Sequence, residues 1–236
     1  DIVTWTGDGT DKSYAHSLGS KPGFMLVKGT SDVINWRVYH QELGYEYPLY
    51  LNENNPKEGS SPNIFVQEPT STQFTVGGGQ LNFDGYEYVG YLFADTPGEI
   101  KCGEYTVNSA DQTINCGFEP GWVMIKGTGN NSNWVIVDAG DINSCIFPNT
   151  DDEAGDITGQ ISFVSNGFRI TNAGDNIGVP GSATNPYIYV AIKKDITAGN
   201  FPPTGIVSTA NDNDNTLTLT DVTGTWAAGM RATGGT

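Results

Sequence analysis

Apolar residues along this chain occur in short runs, or alternate with polar ones over similar lengths. Almost every such stretch is closed by Gly, Asn, Asp or Pro. Nowhere do apolar positions recur at i, i+3, i+4 and i+7 over a length that would make a helix. The pattern predicts strands at 2–6, 13–16, 24–28, 35–39, 49–51, 73–76 and 86–94. A second set follows at 103–107, 112–115, 122–126, 134–137, 161–164, 167–171 and 187–193.

The two sets are copies. KPGFMLVKGTSDVINWRVYH at 21–40 and EPGWVMIKGTGNNSNWVIVD at 119–138 align without a gap. They agree at Pro22/Pro120, Gly23/Gly121, Lys28/Lys126, Gly29/Gly127, Thr30/Thr128, Asn35/Asn133 and Trp36/Trp134. Leu51-Asn52 continues the match to Pro148-Asn149, Phe74 and Val76 to Phe168 and Ile170, and YEYVGY at 86–91 to YIYVAI at 187–192. The period is too long for a solenoid and reads as a duplicated β module.

These patterns predict an all-β protein of two tandem, homologous β-sandwich repeats, jelly-roll in character, at 1–97 and 98–195. A single larger sandwich built from both halves is the alternative. Packing of the repeats on each other is expected to shelter edge strands. Alternation puts Trp36 with Val38, and Trp134 with Ile136, on inward faces, with Arg37, Tyr39, Val135 and Val137 outward. The expected core is Phe24, Trp36, Val38, Phe74, Trp122, Trp134, Ile136 and Phe168. Pro-Gly before Phe24 and before Trp122 reads as a type II turn. The glycines at 77–79 read as a hairpin turn. Residues 196–236 read as a Pro/Gly/Asx-rich linker and the start of a further small β module, with a strand at 216–220.

Composition narrows the partners. The formal charge is −16, and the acids are spread over both halves. Such a surface repels phosphate backbones, which argues against nucleic acid. No apolar run approaches the roughly 20 residues of a membrane helix, so no membrane insertion is expected. The chain begins at Asp1 without an initiator Met, which reads as a fragment or a processed product. Cys102, Cys116 and Cys145 are an odd count. A Cys102–Cys116 bridge is one option, and three separate thiols in a reducing cytosol is the favoured one.

Both halves resemble a domain of unknown function common in tail and virion proteins of bacteriophages, cyanophages above all. The motifs that carry the resemblance are WTGDGT at 5–10, HSLGSKPGFMLVK at 16–28, WRVYH at 36–40, LYLN at 49–52, PTSTQFTVG at 69–77 and YVGYLFA at 88–94. In the second half they are FEPGWVMIKGTGNNSNWVIVD at 118–138, ISFVSNGFRI at 161–170 and YIYVAI at 187–192. The family often has Arg after the Lys of the second-half strand, where this chain has Gly127. The resemblance implies a virion component made in the host cytoplasm, most readily a tail fibre or tail-associated protein contributing to host attachment. It would assemble with other virion proteins and with copies of itself, as a homo-oligomer and by family habit a trimer. Alternatives are a lectin-like adhesion module for host surface glycans and a capsid decoration protein.

Candidate chemistry is thin. The chain has no nucleophile elbow, phosphate loop or dinucleotide fingerprint, and its histidines and cysteines lack zinc spacing. The expectation is a non-enzymatic protein with no cofactor, calcium being the one cation considered. His16 and His40 have Cys116 and Asp138 as counterparts, which favours strand-end hydrogen bonding over catalysis. Asp151, Asp152, Glu153 and Asp156 offer hard oxygen ligands for calcium, as does NDNDN at 211–215. Tyr45, Tyr47 and Tyr50 are candidates to stack on sugar rings, against the plainer reading that they pack between repeats or subunits.

Overall fold

Residues 1–57, 59–106, 111–171, 177, 186–194, 204–211 and 216–223 are described in the computed structural model, the last two stretches by backbone alone. Among them the chain is all-β and contains no helix. It divides into two compact units, Asp1–Lys194 and Asp195–Thr236.

The first half of the larger unit contributes β1 (Ile2–Thr6), β2 (Lys12–Ala15), β3 (Pro22–Gly29), β4 (Arg37–His40), β5 (Leu49–Tyr50), β6 (Phe65–Gln67), β7 (Gln73–Val76) and β8 (Glu87–Ala94). They form a large sheet in the order β1-β8-β3-β4-β5 and a small one in the order β2-β7-β6. The second half contributes β9 (Ile100–Thr106), β10 (Asp111–Asn115), β11 (Pro120–Gly127), β12 (Trp134–Asp138), β13 (Asp141–Ile146), β14 (Gly155–Asp156), β15 (Ile161–Val164), β16 (Gly167–Thr171) and β17 (Pro186–Lys193). Here the large sheet runs β9-β17-β11-β12-β13-β14 and the small one β10-β16-β15. The second order repeats the first, with β14 added at the edge. All pairings are antiparallel.

Three apolar cores hold these sheets. Met25, Val27, Tyr39 and Tyr88 of the first large sheet meet Phe65, Phe74 and Val76 of its small sheet. Val123, Ile125, Val135 and Val137 of the second meet Ile114, Ile161, Phe168 and Ile170. Between them lies a third core, in which Phe24, Val38 and Leu49 of the first half pack on Cys102, Met124, Trp134, Ile188 and Val190 of the second. The layers therefore run small sheet, large sheet, large sheet, small sheet. Both large sheets are apolar on both faces, which is why β3 and β11 read as continuous apolar runs rather than as alternation.

That arrangement corrects several expectations. Tyr39 is buried, not outward, because its face makes the first core, Val135 and Val137 are buried because theirs makes the second, and Arg37 is half-buried. Phe24, Val38, Phe74, Trp134 and Phe168 are buried as expected, while Trp36, Trp122 and Ile136 are only partly so. The halves meet by sheet faces rather than by sheltering edges. The Pro-Gly pairs are not turns but the first residues of β3 and β11, each at a register shift. The positive φ stands earlier, at Gly19 (73°) and Gly117 (82°). The 77–79 glycines do not close a hairpin, because β7 and β8 lie in different sheets. In the closing strands Tyr88 pairs with Gly29 as Tyr187 pairs with Gly127, so Tyr88 matches Tyr187 where the sequence alignment matched Tyr86.

In the smaller unit β18 (Thr204–Asn211) pairs antiparallel with β19 (Thr216–Thr223), Asn211 standing opposite Thr216. The strand expected at 216–220 lies within β19, and β18 begins inside the stretch read as linker. Most of NDNDN, 212–215, lies outside the described residues.

Candidate functional site

The duplicated positions are the natural place to look for a function, and the structure gives their glycines, lysines, threonines and asparagines packing and hydrogen-bonding tasks. An added Cβ on Gly29 would sit 2.4 Å from Ile34 Cδ1, and one on Gly127 2.5 Å from Ser132 Oγ, the equivalent residue. Lys28 Nζ donates to Ile34 O. Lys126 Nζ donates to Ser132 O at 2.9 Å. Thr30 N donates to Glu87 O at 2.8 Å, and Thr128 N to Pro186 O at 2.9 Å. Asn52 Nδ2 donates to Asn35 Oδ1 and Asn149 Nδ2 to Asn133 Oδ1, both at 2.9 Å. The same amides accept the backbone N–H of Trp36 at 2.9 Å and of Trp134 at 2.8 Å. Gly23 and Gly121 lie so close to Cys102 Sγ and Lys194 Cα that a Cβ would approach them to 2.9 and 2.7 Å. Each half thus closes its loop after β3 or β11 with one lysine, one glycine and one pair of asparagines.

Polar groups tie the halves together around the middle core. Trp134 is 1% exposed, and its Nε1–H donates to Tyr50 O at 2.8 Å. His40, also 1% exposed, donates Nε2–H to Tyr189 O at 3.1 Å, and its Nδ1 accepts Glu42 N–H at 3.3 Å. Burial lowers its pKa to about 4, so the ring stays neutral and both nitrogens are used. Lys126 is fully buried and donates to Asn54 O, Gly127 O and Ser132 O, all oxygens without formal charge. Burial lowers that ammonium to about 8. Ser132 N also donates to Asn54 O, and Lys57 N to Thr128 O, so residues 54–57 of the first half brace the second half's loop. The three cysteines are free and buried. Burial raises the Cys102 thiol to about 12, Cys116 to about 11, and Cys145 above its ordinary value, which leaves none of them nucleophilic.

The tyrosines singled out from the sequence are each half-buried and engaged by neighbours. Tyr45 packs against the first core, and its hydroxyl donates to Glu46. Lys57 Nζ lies 5.0 Å from the Tyr47 ring centre, and the Arg37 guanidinium carbon 4.0 Å from that of Tyr50. Arg37 Nη2 donates to Gln80 Oε1 at 3.2 Å, and its buried Nη1 has no partner among the described residues. Beside them Glu68 accepts from Lys21 Nζ, the Tyr39 hydroxyl and Tyr45 N. Burial alone would raise the Glu68 carboxyl, but these three donors hold it below its usual value.

The acidic candidates lie apart from all of this. Asp151, Asp152, Glu153 and Asp156 are exposed, and the Asp156 carboxylate accepts Thr158 N–H at 2.9 Å. Among the described residues no three His, Cys, Asp or Glu side chains come close enough to hold a metal ion. His16 Nδ1 accepts Leu18 N–H and Nε2 lies 3.2 Å from Thr70 O, a strand-end arrangement like that of His40. Sequence reasoning missed Lys126 and the 54–57 brace. The lysine was marked by its identity in both copies, whereas the brace follows only from how the halves pack.

A family model described as a domain of unknown function, DUF7483, matches residues 1–195. No curated protein and no solved structure matches the chain. The chain therefore belongs to the DUF7483 family.

Proposed function

We propose that this member of the DUF7483 family is a non-enzymatic structural component of a bacteriophage virion, a tail fibre or tail-associated protein that contributes to host attachment. The observation that carries the non-enzymatic part is the fate of the duplicated residues. What both copies keep is a loop clamp, with Lys28/Lys126 and Asn35/Asn133, and an apolar face, with Phe24/Trp122 and Val38/Ile136. The buried histidine and thiols are held in their unreactive forms. The virion part is supported by the ordered motifs from WTGDGT to YIYVAI, with a net charge of −16 that favours solubility.

The test is antibody labelling of intact phage particles encoding this chain, with an antibody raised against residues 1–195. Label on the tail or its fibres is the expected result. Label over the shell would make it a capsid decoration protein, and an unlabelled particle would remove the virion reading. Borne on a fibre, the chain would associate with copies of itself, and sedimentation of the purified protein reads this directly.

A further inference from the structure

We propose that the outer face of the first large sheet, centred on Trp36 and Tyr91, is a binding platform for a neutral sugar ring. The two tryptophans of the duplication occupy the same position and meet different fates. Trp134 is covered by the first half, whereas Trp36 stays outside the middle core and stacks beside Tyr91, ring centres 6.3 Å apart and planes 26° from parallel. Tyr91 pairs with Leu26 as Val190 pairs with Met124, so Tyr91 is the counterpart of Val190. Where this face is covered it carries an aliphatic residue. Where the second half does not cover it, it carries a second ring, and both rings stay partly exposed.

Packing does not call for those rings' polar ends. The indole N–H of Trp5 donates to Leu81 O and that of Trp134 to Tyr50 O. Neither the Trp36 indole N–H nor the Tyr91 hydroxyl bonds to another described residue, and neither is a buried orphan. Tyr91 also borders a hollow of about 360 Å³ lined by Ile2, Leu18, Leu92, Phe93, Thr96 and Ile100. Ile2, 64% exposed, stands opposite Tyr91, and the exposed Thr4 and Thr6 follow along the edge strand. Two near-parallel rings with free donors at their rims suit a pyranose. Its C–H face lies on the rings, and its hydroxyls reach the N–H, the O–H and first-shell water.

Charge and area choose among occupants. Lys28, on the same face, is engaged by Ile34 O, while Glu87 stands opposite Thr6 and Asp1 borders the hollow. With a net charge of −16, and with Glu87 and Asp1 beside it, the face disfavours a sugar acid. Two aromatic side chains bury about 150–250 Å² each, well short of the about 800 Å² per partner of a stable protein interface. A neutral sugar satisfies both limits. The platform stands whether or not the chain belongs to a virion, because its test uses the purified protein alone.

The experiment is nitrogen–proton correlation spectroscopy on the indole N–H signals of the whole chain. It is titrated with methyl glycosides of glucose, galactose, mannose, N-acetylglucosamine and glucuronic acid, and a neutral-glycan array is run in parallel. The Trp36 signal should move saturably with a neutral glycoside while those of Trp5 and Trp134 stay still. Tyr91→Ala should weaken that response about tenfold, and Trp36→Ala should abolish array binding. Tyr91→Phe keeps the ring and loses only the hydroxyl, so it serves if Trp36→Ala fails to fold, and an intermediate loss is expected. Silence of every neutral probe and of the array overturns the proposal. So does a response to the glucuronide alone, unchanged affinity in folded Tyr91→Ala, or a self-association that Trp36→Ala dissolves.

Discussion

Gly77 and Gly79 stand two positions apart, and a methyl group would meet opposite surroundings at each. A Cβ at Gly77 would lie 1.8 Å from Asn63 O, and one at Gly79 would meet nothing within 4 Å. Gly77→Ala should cost about 1–3 kcal/mol in urea unfolding, because the 61–64 turn must move. Gly79→Ala should be neutral or stabilise by up to about 1 kcal/mol through the unfolded chain. His40 gives a residue-scale prediction in pH. The unfolded imidazole takes its proton near 6.5 and the folded one only near 4. Between those values the unfolded chain binds more protons, so folding loses stability as pH falls, by at most about 3 kcal/mol. His40→Gln should flatten the pH 4–6.5 part of the stability curve relative to the wild type, measured by denaturant midpoints. An unchanged slope would mean that the ring is not held neutral.

At the scale of elements, the strands were the most legible part of the sequence. Alternation and turn residues place every strand foreseen within 1–195 close to an observed one. The exceptions have physical reasons. β6 and β14 are too short to show a period, and β13, DINSCI, carries polar residues because it lies near a sheet edge. What alternation could not reveal was which of two apolar faces looks where. Trp36 and Trp134 are identical in sequence context, yet one is covered and one is not, and only the offset of the two sheets decides this. Trp134→Ala should therefore cost about 3–5 kcal/mol, the range for a buried large aromatic, and Trp36→Ala clearly less. Equal losses in thermal or urea unfolding would contradict the placement. The candidate sites were less legible still. Tyr45, Tyr47 and Tyr50 look like a platform in sequence because they are close together. In the fold Lys57 and Arg37 lie over two of their rings, and the Trp36–Tyr91 pair comes from residues that are far apart along the chain.

At the scale of the whole molecule, the duplication explains itself as architecture. Each copy carries a large sheet apolar on both faces, and neither could leave its outer face in water without exposing Phe24, Val38 and Leu49 or Met124, Trp134 and Val190. The copies supply each other's missing layer. The central claim is that this shared layer makes 1–194 one cooperative body rather than two sandwiches in series. Its buried thiols are built-in reporters, with Cys102 in the middle layer and Cys116 and Cys145 in the second core. The direct measurement is thiol labelling across a urea titration, each cysteine read by mass spectrometry beside the far-ultraviolet circular dichroism. The account predicts that all three thiols become reactive together, at the midpoint where the sheet signal is lost. Labelling of Cys102 at lower urea, with Cys116, Cys145 and the sheet signal intact, would mean that the halves part before they unfold and would contradict the account.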